Sequence, residues 1–357
     1  QIAFTLQGSQ MSRIFQTIGA NPNNLGWFFL LPPLAGLIVQ PIIGYYSDRT
    51  WAPKLGGRRL PYLLIGMVIA VIVMILLPNS GSFGFGYGSL AALWFGAITV
   101  AFLDLSSNMA MQPFKMMVGD MVNDDQKSYA YGIQSLICNT GAVLAAIFPF
   151  LLTWWGVSNT AKKGVVPQSV VISFYVGAVI LVITCLFTIF RVHEYDPATY
   201  ARYHGISEED NKKGGNWFTL LKHAPRVFWN VALVQFFCWF SFQYLSTYAV
   251  GAIAKNVWLT TDASSAAYQA AGNWYGVMTA VQSIAAVVWS YVLAKVPNNH
   301  HKAGYAFSLL LGAIGYTSIF FIHSQNALIF SFVLIGIAWA SMNTYPLTMV
   351  TNALSGK

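Results

Sequence analysis

The chain has 357 residues, of which 56% are hydrophobic and only 8% charged, with a formal net charge of +8 and a mean hydropathy of +0.56. A soluble domain carries about 25% charged residues, so this composition excludes a soluble protein and predicts many membrane spans. The basic residues lie in loops between apolar runs. They therefore indicate membrane topology and no nucleic-acid partner.

Ten apolar runs each come close to the ~20 residues that a helix needs to cross a bilayer. They cover residues 1–19, 25–47, 60–78, 89–118, 128–155, 168–190, 226–253, 266–294, 303–322 and 326–350. The connections are short except for the polar segment 192–224. This pattern predicts an all-α membrane protein with two helical bundles: spans one to six in residues 1–191, a linker in 192–224, and spans seven to ten in 225–357.

Lysine and arginine are distributed unequally between the two sides of the predicted bundles. One set of alternate loops, with the segment after the tenth run, holds 14 of these residues, and the other set holds Lys162, Lys163 and Lys255. We call these sides the basic end and the opposite end. Because cytoplasmic loops are rich in lysine and arginine, we expect the basic end, the N-terminus and the central linker to be cytoplasmic. The expected location is the cell membrane, as a multi-pass protein of a bacterial inner membrane.

The fourth run carries a carboxyl group in an apolar surrounding. Asp104, Asn108, Gln112 and Lys115 follow one another at positions i, i+4, i+8 and i+11, which places them on one helix face, with Lys115 about 16 Å from Asp104 along the axis. A charge at membrane depth costs at least a few kcal/mol and usually marks a functional site. A carboxyl group that is poorly solvated holds a proton more readily, so Asp104 is the candidate proton carrier. The alternative is a structural acid neutralised by a hydrogen bond.

Asn108 and Gln112 of this helix face are also candidate contacts for a hydroxylated solute, together with further polar or aromatic side chains within the runs. These further side chains are Gln7 and Gln10 in the first run, Asn139 in the fifth, Gln243 in the seventh, Asn273 in the eighth, and Trp339 and Asn343 in the tenth. Each has a structural alternative: the amides can bond neighbouring helices, Asn139 can be a partner of Asp104, and Trp339 can serve packing. Arg13 can line an entrance or extend to the lipid headgroups.

The loop after the second run carries a recognisable motif. Residues 44–61 read GYYSDRTWAPKLGGRRLP, and the preceding residues 37–43 read LIVQPII. Glycine, Asp-Arg and then Gly-Arg-Arg in this loop resemble the signature of the major facilitator superfamily. The longer stretch resembles the sucrose/maltose proton symporters, which include the plant sucrose transporters and their bacterial relatives. We expect five residues of this motif to form the cytoplasmic gate: Gly44, Asp48, Arg49, Arg58 and Arg59. The arginines can pair with acids at neighbouring helix ends, such as Asp120.

The resemblance implies two six-helix bundles, so we expect that two C-terminal spans are missing from this chain. It further implies a proton-coupled disaccharide symporter that works by alternating access, with Asp104 and Lys115 in the coupling. The plant members carry arginine where this chain has Lys115, and lysine cannot form arginine's bidentate fork. The alternative is an uncoupled facilitator or an exporter of another solute.

The expected partners are a small sugar and the lipid bilayer, with the protein as a monomer. No metal and no cofactor are expected, H⁺ being the coupling ion. An enzyme is not expected, since the sequence has neither paired carboxylates nor a His/Cys metal set nor a phosphate-binding loop.

Overall fold

The computed structural model of the protein describes residues 1–354 except 22–23, 31–32, 35, 37–38, 40–41, 44–45, 48–49, 123, 197, 200–201, 203–221, 223, 294 and 298–299. At 112, 119, 124–129, 131–132, 135, 347 and 351–354 it describes the backbone alone. The regular elements that it describes are helices. The predicted all-α class is therefore confirmed.

The helices follow the apolar runs. In chain order they are α1 (Ile2–Thr17), α2 (Leu25–Phe28, the start of the second run), α3 (Leu60–Leu76), α4 (Leu90–Met121), α5 (Asp124–Trp154), α6 (Gln168–Arg191), α7 (Arg226–Val257), α8 (Ala266–Leu293), α9 (His301–Phe321) and α10 (Leu328–Leu354). Local chemistry fixes where some of them begin. Pro61 lies in the first turn of α3, where its missing N–H is not needed. The Ser89 hydroxyl accepts a hydrogen bond from the Ala92 backbone N–H at 3.2 Å and caps α4.

Within the described residues, seven helices are long and apolar enough to cross a membrane. They are Leu60–Asn79, Leu90–Val118, Leu136–Trp154, Gln168–Arg191, Ala266–Leu293, His301–Phe321 and Leu328–Val350. These helices coincide with seven of the ten predicted runs. Of the other three runs, the first forms a helix of 16 residues and the second is described only in part. The seventh forms a helix of 32 residues that polar side chains such as Gln235 and Gln243 make less apolar. The count of ten spans stays a prediction.

The buried apolar side chains form separate clusters before and after the segment 192–224. One cluster joins α1, α3, α4 and α6 around Phe15 and Phe174. Another joins α7, α8, α9 and α10 around Tyr275 and Phe332. Close packing of these side chains holds the helices of each group together where they face one another. The arrangement agrees with a two-bundle plan, whose boundaries stay a prediction.

The loops meet at two opposite ends of the molecule. At the end that is poor in basic residues, the Gly88 N–H donates to the Ile18 carbonyl at 2.8 Å, and the Lys163 ammonium lies 4.5 Å from the centre of the Tyr87 ring. At the basic end, Arg58 reaches Asp120 at 2.8 Å. Successive helices therefore alternate in direction, and the ends of α1, α3 and α5 lie together with the start of α8.

Glycines on α9 allow its backbone to come into direct contact with α10. A Cβ atom on Gly312 would overlap the Cβ atom of Ala338, and one on Gly315 would lie 2.7 Å from the Ser331 carbonyl oxygen. Small residues permit such close approaches in membrane proteins, where dispersion rather than water exclusion drives association.

We expect the substitution Gly312→Ala to lower the free energy of unfolding by about 1–3 kcal/mol, because the added methyl group forces α9 away from α10. Thermal unfolding in detergent, followed by tryptophan fluorescence, measures the change. The matched control is Gly8→Ala in α1, where nothing lies within 4 Å of the added atom. An equal loss of stability in both variants would show that the close contact does not matter.

Candidate functional site

The candidate site is built around Asp104, which lies in the middle of the span Leu90–Val118. Its side chain is only 8% exposed. Asn108, one turn later on α4, donates from Nδ2 to Asp104 Oδ2 at 2.9 Å and to the Asp104 backbone carbonyl at 2.9 Å. The spacing i, i+4 places the amide beside the carboxyl group, as the sequence predicted. Asn108 therefore supports Asp104 directly in this conformation.

Two further elements approach the same carboxyl group. The Gln7 amide on α1 faces it as a hydrogen-bond donor. Gly36, in the described part of the second run, is so near that an added Cβ atom would lie 3.3 Å from both Asp104 Oδ2 and Asn108 Nδ2. Gln7 is 5% exposed, and its Oε1 atom has no hydrogen-bond partner among the described atoms. A buried acceptor without a donor is costly, so this oxygen is suited to accept from a protonated carboxyl group or from a solute hydroxyl.

The rest of the predicted polar stripe extends away from this centre. Lys115 is exposed. The Gln112 side chain lies outside the described part of the chain. On α5, Asn139 is half-buried and its side chain is engaged. The structure thus brings Asp104, Asn108 and Gln7 together, and Lys115 is separated from Asp104 by about three helical turns.

Arg13 lies in a second polar cluster, near the end of α1. The side chain is 0% exposed, so it neither extends to the lipid headgroups nor lines an open entrance in this conformation. Its guanidinium group donates only to amide oxygens among the described atoms. These bonds run from Nε to Gln269 Oε1 at 2.6 Å, from Nη1 to Asn273 Oδ1 at 2.8 Å and Gln10 Oε1 at 3.2 Å, and from Nη2 to Asn159 Oδ1 at 2.7 Å.

Two predicted solute contacts, Gln10 and Asn273, belong to this cluster. The oxygen atoms of both amides are occupied by Arg13, and the Asn273 Nδ2 atom donates to Thr153 Oγ1 at 2.8 Å. In this conformation they join helices, which is the structural alternative that the sequence left open for an intramembrane amide. Gln269 and Asn159, which complete the cluster, were not singled out from the sequence.

The predicted contacts on α7 and α10 belong to the second group of helices. The Trp339 ring packs against Phe242 at 4.7 Å and Trp239 at 5.7 Å between ring centres. Asn343 is exposed, and its Nδ2 atom donates to the Trp339 carbonyl at 2.7 Å. Gln243 is half-buried. Asn343 also lines a cavity of about 360 Å³ between α7 and α10, a volume at the lower end of that of small-molecule sites.

The predicted gate residues at the basic end are described in part. Gly44, Asp48 and Arg49 lie outside the described residues. The predicted pairing of the two arginines with an acid at a helix end is confirmed, because Asp120 Oδ2 accepts from Arg58 Nη2 at 2.8 Å and from Arg59 Nη2 at 2.7 Å.

Glu194 is a further member of this charge cluster that the sequence did not reveal. Its Oε1 atom accepts from the backbone N–H groups of Arg59 at 2.9 Å and Leu60 at 3.2 Å, and so caps the start of α3. Its Oε2 atom lies 3.9 Å from Arg58 Nε. Its position three residues after the end of α6, at the basic end, is the signal that could have revealed it.

Curated proteins with similar sequences are sucrose transport proteins. The Arabidopsis thaliana sucrose transport protein SUC4 is 26% identical over 252 residues, which are 67% of this chain and 49% of that protein. The sucrose transport protein SUT5 of Oryza sativa subsp. indica is 31% identical over 133 residues, or 34% of this chain and 24% of that protein. The chain thus spans about half or less of the length of these relatives.

Solved transporter structures have the same fold. A bacterial homolog of the human lysosomal transporter Spinster, inward-facing and unoccupied, matches with a TM-score of 0.61 at 14% identity over 98% of this chain and 73% of its own. The xylose transporter XylE from E. coli, partially occluded and inward open, matches with a TM-score of 0.61 at 15% identity over 98% of this chain and 82% of its own. These likenesses confirm the predicted fold class.

A family model described as MFS/sugar transport protein matches residues 14–356. The matched range includes Asp104 and both groups of helices, and it begins at the residue after Arg13. The chain therefore belongs to the MFS/sugar transport protein family.

Proposed function

We propose that the protein is a proton-coupled symporter of disaccharides, of the sucrose and maltose type, that works by alternating access. It acts as a monomer in the cell membrane and is not an enzyme. The names of the sucrose transport relatives support the substrate class. The excess of lysine and arginine at the basic end supports a cytoplasmic position for that end, for the N-terminus and for the central linker.

The observation that carries the proposal is the burial of Asp104 at mid-span among neutral amides. Within the part of the chain that the structure describes, the side chains that hydrogen-bond to Asp104 are the neutral amides of Gln7 and Asn108. An ionised carboxyl group is costly in such a place, and protonation removes that cost. Exposure of the site to one side of the membrane at a time would then let Asp104 bind a proton outside and release it inside.

Sugar binding next to this group would link the two ligands. The protonated carboxyl group is a hydrogen-bond donor, and the oxygen of Gln7 and the carbonyl group of Asn108 are acceptors for it or for a sugar hydroxyl. If protonation favours sugar binding, sugar must favour protonation by the same factor. We assign Asn139, Gln243, Trp339, Asn343 and Gln112 as further sugar contacts in the conformation that holds the substrate.

The test is uptake of labelled sucrose and labelled maltose into proteoliposomes that contain the complete protein. We expect accumulation of at least one of the two sugars above its external concentration when the outside is acidic, and only equilibration when the two sides have equal pH. A protein that equilibrates the sugar equally well with and without the gradient is a facilitator. Transport of neither sugar would remove the proposed substrate class.

A further inference from the structure

The polar cluster around Arg13 joins the two groups of helices. Arg13 and Gln10 belong to α1, whereas Gln269 and Asn273 belong to α8. Further bonds cross the same boundary. The Ser12 hydroxyl donates to the Thr247 carbonyl of α7 at 2.5 Å, and Gln269 Nε2 donates to Thr17 Oγ1 at 3.1 Å. All of these contacts lie in the half of the molecule that is next to the opposite end.

The backbone of α8 is shaped to receive this cluster. A Cβ atom on Gly272 would lie 2.6 Å from Arg13 Cδ, and one on Gly276 would collide with the Ala146 carbonyl oxygen of α5. Gly272 and Gly276 are one turn apart on the same face of α8. Two small residues at this spacing let helices meet at backbone distance, so the two groups of helices are closely packed where Arg13 crosses between them.

Arg13 is the charged member of the described cluster, and its neutral partners suit a contact between α1 and α8 that can form and break. A guanidinium group binds a carboxylate more strongly than it binds a neutral amide, so a carboxylate partner would make the closed contact harder to open. The described partners of Arg13 are neutral amides, which bind a guanidinium group more weakly than a carboxylate does. If the groups of helices part, the amides of α8 would withdraw, and water would solvate the guanidinium group in their place.

We propose that Arg13, held by the amide oxygens of Gln269 and Asn273, is the latch that closes the outer gate of the transporter. The proposal rests on the alternating access and the orientation proposed above. Closing the gate buries the guanidinium group between α1 and α8, and opening it hydrates the same group. The absence of a carboxylate from the described cluster keeps the closed state reversible.

The test measures the width of the outer gate in the complete protein without sugar and without a proton gradient. Its outcome therefore does not depend on which solute or ion is transported. Spin labels are attached to cysteines introduced at Lys162, in the loop between α5 and α6, and at Thr261, in the loop between α7 and α8. Both positions are exposed and lie at the opposite end of the molecule from the basic end. The native Cys138, Cys185 and Cys238 are replaced by serine. Pulsed electron paramagnetic resonance then gives the distribution of distances between the labels.

We expect Arg13→Gln to raise the population with the longer distance about fivefold or more, because the substitution removes the charged donor that joins α1 to α8. We expect Asn273→Asp to have the opposite effect, because a buried carboxylate paired with Arg13 locks the gate. The longer distance is then lost, and the uptake rate falls at least about tenfold.

The charge-matched control is Arg191→Gln at the end of α6, where the arginine is exposed, and it should leave the distances unchanged. Wild-type distances in both Arg13→Gln and Asn273→Asp would overturn the proposal. If Arg13→Gln does not fold, the test rests on Asn273→Asp alone. Wild-type distances and a wild-type uptake rate in Asn273→Asp would then reject the proposal that Arg13 closes the outer gate. Failure of sugar uptake in the wild type, with the expected distance changes in the variants, would reject the proposed substrate while leaving the latch in place.

Discussion

Asp104→Asn is expected to abolish sugar accumulation driven by a proton gradient while exchange of sugar across the membrane continues. One pH unit is equivalent to a tenfold concentration ratio, so a gradient of two units can drive about 100-fold accumulation at one proton per sugar. The variant should reach only the external concentration, because an amide cannot carry the proton. The amide oxygen that the substitution introduces can still accept a hydrogen bond from Asn108, so the polar helix face is preserved.

The measurement is uptake of labelled sugar at equilibrium, together with counterflow in the absence of a gradient. The matched control is Asp262→Asn in the loop before α8. Hydrogen bonds from Ser264 hold the pKa of Asp262 below its usual value, so that acid is ionised at neutral pH and the control removes a true charge. Full accumulation by Asp104→Asn would show that the proton is carried elsewhere.

Asp120→Asn is expected to destabilise the protein strongly. Arg59 is 4% exposed, and both Arg58 and Arg59 donate to the same oxygen of Asp120. Loss of one partner from a buried ion pair costs about 3–5 kcal/mol, and the 21% exposure of Asp120 lowers our expectation to about 2–4 kcal/mol. Unfolding in detergent, followed by tryptophan fluorescence, gives the value.

The double variant Asp120→Asn with Arg59→Gln tests whether the loss comes from the uncompensated arginine. Because it removes the buried charge together with its partner, it should be more stable than Asp120→Asn alone. Asp196→Asn, which changes an exposed acid, is the control and should have little effect. Additive losses in the double variant would show that Arg59 does not depend on Asp120.

The sequence allows a good prediction of what depends on a single helix or on opposite charges at the ends of two successive helices. The apolar runs predict α3 to α10, since about 20 apolar residues have few other structures open to them in a membrane. The pairing of Asp104 with Asn108 follows from the helical repeat alone. The pairing of Arg58 and Arg59 with Asp120 follows from opposite charges at ends of neighbouring helices.

The cluster around Arg13 could not be predicted in this way. Its partners Gln269 and Asn273 are 256 and 260 residues away, and no periodicity relates a residue of α1 to a residue of α8. Gln10 and Asn273 carry the same amide groups that bind sugars, so their side chains alone do not distinguish the two roles. The glycines at 272 and 276 mark a close approach of α8 to another helix, but not which helix or which side chain.

We expect sugar and protons to cross the membrane together through Asp104. This expectation is tested by adding sugar outside sealed proteoliposomes that hold the protein and a pH-sensitive dye, with no gradient at the start. We expect sugar to acidify the interior in the wild type and to cause no acidification with Asp104→Asn. Sugar entry without acidification in the wild type would show that no proton accompanies the sugar. Equal acidification in the variant would show that the proton does not cross through Asp104.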